Sequence, residues 1–410
     1  MHRNRPQRRP PRRMKPRKKY PRLEISLESE RFVRQGHPWV IRDRKTGDTR
    51  HLATGSIVDL VGPDRSFVAR ALVDPGNEVV ARVLTRDPRE TIDPPFFERR
   101  ALRACTLRQA CIDGETTNAF RILNGENDGI PGLHIDRLGD YGVAQIYTQA
   151  ILPHVEQIYT TVMAAFRLRG LYEKRRFRSP RGIDRKRLQG RLVLGEPAPD
   201  PLPIREGGCA FLVRPQHAMD TGIFLDQREN RRRIRRLARG REVLNTFAYT
   251  CAFSVAAALG GARKTVSVDS SSNHLAWGKE NFARNGLDPA SHEFVCEDVF
   301  AFFGKKRRFD LVILDPPTFS GGKGTFRAER DYGRLVSAAL RALRPEGFLL
   351  CSTNAAKLKA PAFQQAVFRA LEAGGRAFQI LATPGPPLDF PTLPDFPQGQ
   401  PFKSCLLRVF

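Results

Sequence analysis

Phe309-Asp310-Leu311-Val312-Ile313-Leu314-Asp315-Pro316-Pro317-Thr318-Phe319 is an apolar run closed by an acid and two prolines. The run is short and continuous, as in a strand buried on both faces of a parallel sheet. The prolines end the strand and fix the turn. In open α/β sheets, ligands bind beyond the carboxyl ends of such strands. Asp315, the carbonyls of the turn and the Phe319 ring would then face one spot, suited to a flat, polar, π-faced substrate such as a nucleobase. An Asp-Pro-Pro alone is a weak signal. Its position 46 residues after a second strand-ending acid, Asp269, makes it informative.

The text around this stretch alternates strand and helix from Glu206 onward. Val243–Phe247, Thr265–Asp269, Glu293–Cys296, Phe348–Thr353 and Lys403–Phe410 read as strands, and Ala252–Leu259 and Ser272–Asn285 as helices between them. Repeated β-α-β units with right-handed crossovers give a doubly wound sheet. Asp269 lies 24 residues after Asn245, which suits an acid holding a ribose diol, although a helix N-cap explains it equally well locally. Asp298 follows the third strand and could meet an adenine edge. The loop after the first strand, Phe247-Ala248-Tyr249-Thr250-Cys251-Ala252, contains no glycine. A pyrophosphate needs glycines there for close backbone approach, so the loop argues against a dinucleotide and for S-adenosyl-L-methionine.

Toward the N-terminus, residues 1–22 carry eleven Lys/Arg and no acid, and read as a disordered basic arm. Residues 23–95 show short β-like runs between turn residues, as in a small all-β barrel. Leu23–Leu27, Ser56–Val61 and Phe67–Leu72 are its expected strands, and Trp39, after Pro38, reads as a core plug more readily than as an RNA-stacking ring. Residues 96–200 read as a central α+β domain with a Gly-rich polar loop around Asn124–Leu133 and a basic run, Lys174–Arg181. Four prolines between Pro197 and Pro203 mark a linker to residues 201–410.

The formal net charge is +26, of which +15 remains once the arm is set aside, so the folded body itself favours a polyanion such as RNA. The stretch Asp226–Arg241 alone holds eight arginines, which read either as a solvated helix face or as phosphate contacts. Seven scattered cysteines form no CxxC pair, which indicates no metal and fits a reducing cytoplasm. No apolar stretch is long enough to span a bilayer, so no membrane partner is expected. A homodimer stays open.

Thr221–Arg228, Asn245–Thr250, Leu259–Ala262, Val268–Ser270, Asn281–Leu287 and Asp315–Ser320 occur in this order. Together they resemble the class I S-adenosylmethionine-dependent methyltransferases that modify bases of 23S ribosomal RNA, over roughly residues 23–410. The resemblance implies a Rossmann-like methyltransferase domain preceded by a PUA-like barrel that binds RNA, and a role in rRNA processing. It further implies that Phe224, Asp226 and Arg228 close over the cofactor, and that Phe247, Ala248 and Tyr249 line its methionine side. Asp269 would hold the ribose, Asp298 the adenine and Asp315 the target base.

Two departures bear on the chemistry. The family usually has glycine where Cys251 and Ala252 stand, so cofactor geometry should differ slightly. The branch that methylates carbon-5 of cytosine needs a cysteine thiolate after the fifth strand, because that carbon is not nucleophilic until a thiol adds to the ring. Asn354 holds that position. Cys351 lies three residues earlier, about 10 Å away along extended chain. The expectation is methyl transfer to a base nitrogen, guanine N7 favoured, with Asp315, Phe319 and Asn354 positioning the base. The alternatives are the cytosine-C5 reaction through Cys351 and an RNA-binding protein that has lost catalysis.

Overall fold

The computed structural model describes residues 19–177, 189–217, 220–318 and 326–410. Residues 1–18 of the basic arm, part of the run Lys174–Arg181, and Phe319 lie outside the described residues.

The first layer is a five-stranded barrel sheet, β1 (Arg22–Glu24), β2 (Trp39–Ile41), β3 (Ile57–Val61), β4 (Phe67–Val73) and β5 (Val79–Thr85), in the order β1-β3-β4-β5-β2. It is not all-β. The expected strand Leu23–Leu27 stops at Glu24, and helix α1 (Leu27–Gln35) follows. Ser26 caps it by accepting from the Ser29 amide at 3.1 Å, Glu28 and Glu30 occupy its first turn, and Gly36 ends it at a φ of 126°. A helix this short and polar leaves little periodicity to read, since Val33 is its one buried residue.

The central domain packs α2 (Pro94–Cys111) and α3 (Val155–Phe166) on a sheet of β6 (Ala119–Asn124), β7 (Leu133–Leu138), β8 (Tyr141–Ile146), β9 (Gly170–Arg175) and β10 (Arg191–Gly195). The Gly-rich segment between β6 and β7 is a 3-10 turn, Gly125–Asp128. A hairpin, β11 (Leu202–Glu206) and β12 (Cys209–Val213), leads into the last domain.

That domain is a seven-stranded sheet of β13 (Glu242–Thr246), β14 (Lys264–Asp269), β15 (Glu293–Cys296), β16 (Phe309–Leu314), β17 (Leu343–Thr353), β18 (Phe378–Ala382) and β19 (Lys403–Val409). The order is β15-β14-β13-β16-β17-β19-β18, and β19 alone runs antiparallel to its neighbours. The connecting helices are α4 (Arg228–Leu237), α5 (Ala252–Leu259), α6 (Ser272–Arg284), α7 (Val299–Phe303), α8 (Ala328–Leu340) and α9 (Ala360–Ala373). Val312 and Leu314 of β16 feed one core face while Leu311 and Ile313 feed the other, which is why the run reads as continuously apolar. Strand order reverses between β13 and β16, and a crevice opens beyond their carboxyl ends.

The chain between β18 and β19 folds back over the central domain. Asp389, fully buried there, pairs with Arg228 of α4 and accepts from the Arg121 amide of β6 at 2.8 Å. Its carbonyl accepts from Arg108 of α2 at 2.8 Å, and Arg108 also grips Asp128 through two 2.7 Å bonds. One loop thereby ties the central domain to the seven-stranded sheet domain.

Candidate active site

The loop after β13 leaves the sheet by a left-handed path. Phe247, Tyr249 and Cys251 have φ of 53°, 47° and 60°, a conformation that costs a non-glycine residue about 1 kcal/mol or more. Neighbours hold the path in place. The Tyr249 amide donates to Asp269 Oδ2 at 2.9 Å, Asn281 Nδ2 to the Thr250 carbonyl at 2.9 Å, and Thr250 Oγ1 to the Gly222 carbonyl at 2.6 Å. Helix α6 passes so close that a Cβ on Gly278 would stand 2.4 Å from Cys251 Sγ. The missing glycine at 251 is thus matched by a glycine on the facing helix, and Cys251 is fully buried.

Asp269 ends β14. Burial pushes its carboxyl pKa up, but bonds from His274 and from the Ser271 and Tyr249 amides outweigh that and hold it below the usual range. It is a fixed, charged acceptor beside the loop. Phe224 lies 41% exposed with its ring 5.5 Å from that of Tyr249. Ala248 is buried, its amide donating to the Val268 carbonyl at 3.0 Å. Asp298 is exposed and caps α7, its Oδ1 accepting from the Phe300 and Ala301 amides at 2.9 and 3.0 Å. Arg228 is bound to Asp389 and lines a separate groove with Arg232 and Arg236.

The second group sits at the ends of β16 and β17. Ser352 Oγ donates to Asp315 Oδ1 at 2.7 Å, and Gln227 Nε2 donates to Ser352 Oγ at 3.0 Å. Tyr332 of α8 ties both strands by donating to the carbonyls of Leu314 and Ser352. Burial raises the Asp315 pKa to about 6, with the Asp226 carboxylate adding to the rise and Ser352 opposing it. Asp226 is also raised, by burial. Asn354 Nδ2 donates to Asp226 Oδ2 at 3.0 Å, while Asp226 Oδ1 and Asn354 Oδ1 are buried with no hydrogen-bond partner.

Asp226 and Asn354 form one wall of a cavity of about 420 Å³ that all three domains build. The barrel contributes Trp39 and Arg82, the central domain Arg121 and Tyr147, and the fold-back loop Phe390 and Phe396. Trp39 is therefore not a core plug. It is half-exposed, donates to Glu126 Oε1 at 2.7 Å and meets the Phe396 ring edge-on at 4.7 Å. No sequence signal marks Glu126, Phe390 or Phe396, because Glu126 reaches the site from the central domain and the two rings from the fold-back loop, far from Asp226 in sequence.

Cys351 faces the core. It is fully buried in β17, paired across the sheet with Cys405, and burial drives its thiol pKa far up. Among the described residues no cysteine lines the cavity beside Asp226.

The residues present fit a sulfonium cofactor carrying an adenosine. The left-handed loop gives close backbone approach without glycine, Asp269 offers a charged acceptor, Phe224 and Tyr249 offer apolar faces, and the carboxyl groups of Asp226 and Asp315 stand among the same strand ends.

The comparisons agree. Residues 146–393 match the S-adenosylmethionine-dependent methyltransferase family, and residues 24–86 match the PUA-like domain. The chain is 35% identical over 384 residues to the "Putative ribosomal RNA large subunit methyltransferase YwbD" of Bacillus subtilis (strain 168), covering 92% of this chain and 96% of that one. It is 33% identical over 400 residues to "Ribosomal RNA large subunit methyltransferase I" of Klebsiella pneumoniae (strain 342), covering 95% and 98%. A solved structure described as "a putative methyltransferase complexed with SAH" superposes with a TM-score of 0.85 at 27% identity, over 95% of this chain and all of that one. A second, from Streptococcus mutans, gives 0.83 at 26% identity, with the same coverage. With its fold, its strand-end acids and these matches, the chain belongs to the S-adenosylmethionine-dependent methyltransferases of large-subunit ribosomal RNA.

Proposed function

We propose that the methyl group goes to a ring nitrogen of a 23S rRNA base, guanine N7 before others, by direct displacement and without a covalent enzyme–RNA intermediate. The single observation behind this is that Asn354, hydrogen-bonded to Asp226, stands where a thiolate would be needed, while Cys351 is sealed in the strand. A base nitrogen has its own lone pair and needs positioning rather than a thiolate. When bound, the cofactor supplies a methyl on a sulfonium. The chain's part is to hold and orient. Asp269 takes the ribose hydroxyls, Phe224, Phe247, Ala248 and Tyr249 the flanks of the cofactor, and Asp298 the adenine. Arg228 acts through Asp389 to fix the start of α4. Asp315, with Phe319 and Asn354, holds the base, and Trp39 brings the barrel to the cavity that Asn354 lines. The protein works in the cytoplasm, where its free cysteines stay reduced.

The test is large-subunit rRNA substituted with 5-fluorocytidine. The nitrogen reaction leaves no adduct with this RNA. A covalent complex that survives denaturation and vanishes in Cys351→Ala would replace this reading with the cytosine-C5 reaction.

A further inference from the structure

Asp226 Oδ1 and Asn354 Oδ1 are two neighbouring acceptors with no donor, on residues that line one cavity. A buried polar group left unpaired costs about 1–3 kcal/mol, and native proteins keep such groups where something outside the chain satisfies them. The orientation of the Asn354 amide is not free. With Asp226 as a carboxylate, Oδ2 accepts, and Asn354 turns Nδ2 toward it and Oδ1 away. The wall therefore holds two buried, unsatisfied acceptors.

The cavity's other walls suit a base taken out of its stack. Its volume, about 420 Å³, is in the range of small-ligand sites. Trp39, Tyr147, Phe390 and Phe396 supply π-faces, and Arg82 and Arg121, paired with Glu126 and Asp136, line the same walls. The bases differ in the edge they can offer two adjacent acceptors. Guanine presents N1–H and the N2 amine side by side. Cytosine and adenine present one amine beside ring acceptors, and uracil one N–H between two carbonyls.

We infer that this three-domain cavity receives a guanine nucleotide of the RNA and reads its Watson–Crick edge through Asp226 Oδ1 and Asn354 Oδ1. This rests on the nitrogen-acceptor reading above and deepens it, since guanine held by that edge leaves N7, on the opposite side of the base, free. The barrel then does more than tether RNA, because Trp39 and Arg82 complete the pocket that selects the base.

The test compares GMP, inosine monophosphate and CMP by saturation-transfer NMR titration of the full-length protein saturated with SAH. Inosine lacks only the N2 amine. The expected result is GMP binding at least fivefold tighter than either competitor. Asp226→Asn should erase that preference, because its carbonyl must take the Oδ2 place to satisfy Asn354, putting an amide donor where an acceptor stood. Asn354→Leu should erase it too. Equal affinities for the three nucleotides in the wild-type protein would overturn the inference, and that comparison needs no variant to fold. The two ideas fail separately. Methyl on cytosine carbon-5 in product RNA would end the nitrogen reading while a GMP preference stood, and N7 methylation with no GMP preference would end the guanine-edge assignment alone.

Discussion

At the scale of single residues, Asp315 sets stability against function. Its pKa is raised from 3.8 to about 6, mainly by burial, so the fold penalises its charged form. The folded state holds this proton more tightly than the unfolded chain. Its contribution is therefore harmless below about pH 4, becomes destabilising as pH rises through 4–6, and is fully unfavourable above that window. Asp315→Asn should raise stability at pH 7 by about 1–3 kcal/mol, seen as a higher melting temperature at pH 7 and little change near pH 4. The same variant should lose most methyl transfer while binding cofactor nearly as well. A variant that melts lower at pH 7 would show that the buried charge is better compensated than the geometry indicates. The sequence already puts Asp269 and Asp315 at strand ends, because an acid closing an apolar run is visible in the text. It says nothing of Asp389 or Glu126, whose partners lie up to 281 and 87 residues away.

The loop after β13 and the helix facing it carry the next lesson. A glycine-free loop looked like a restriction on cofactor approach, yet three residues adopt left-handed backbone and Gly278 on α6 yields the space. Compensation across a helix–loop contact has no local sequence signature, since Gly278 reads only as a weak spot in a helix. Gly278→Ala should destabilise the protein by about 1–3 kcal/mol through overpacking against Cys251, and weaken cofactor binding as the loop shifts. Adding Cys251→Ala should recover much of both losses. Additive effects in denaturant titrations of the two single variants and the double variant would break the proposed contact. Helix α1 was illegible for another reason. Its burial rests on one residue, so capping by Ser26 and termination at Gly36 define it more than hydrophobic periodicity does.

Across the whole molecule, charge and domain assembly act together. The barrel, central domain and fold-back loop meet at the cavity, and a groove of about 760 Å³ runs beside α4, lined by Arg232, Arg236 and Arg239. These three side chains are exposed, so neutralising them should not unfold the protein. Arg232→Gln, Arg236→Gln and Arg239→Gln together should weaken RNA binding and flatten the salt dependence by about two to three counterions, with turnover of saturated RNA unchanged. An unchanged salt slope would mean the RNA runs elsewhere. The doubly wound sheet was readable from the alternation of strand and helix. The joint cavity was not, because composition can announce a polyanion but not the surfaces that meet around one base.

The central claim is that the acceptor is a base nitrogen held without a cysteine. It is tested most directly by incubating unmodified large-subunit rRNA with the protein and methyl-labelled cofactor, digesting to nucleosides and reading the labelled product by mass spectrometry. The account predicts label in 7-methylguanosine, retained in Cys351→Ala and lost in Asp315→Ala. Label in 5-methylcytidine, abolished by Cys351→Ala, would contradict it.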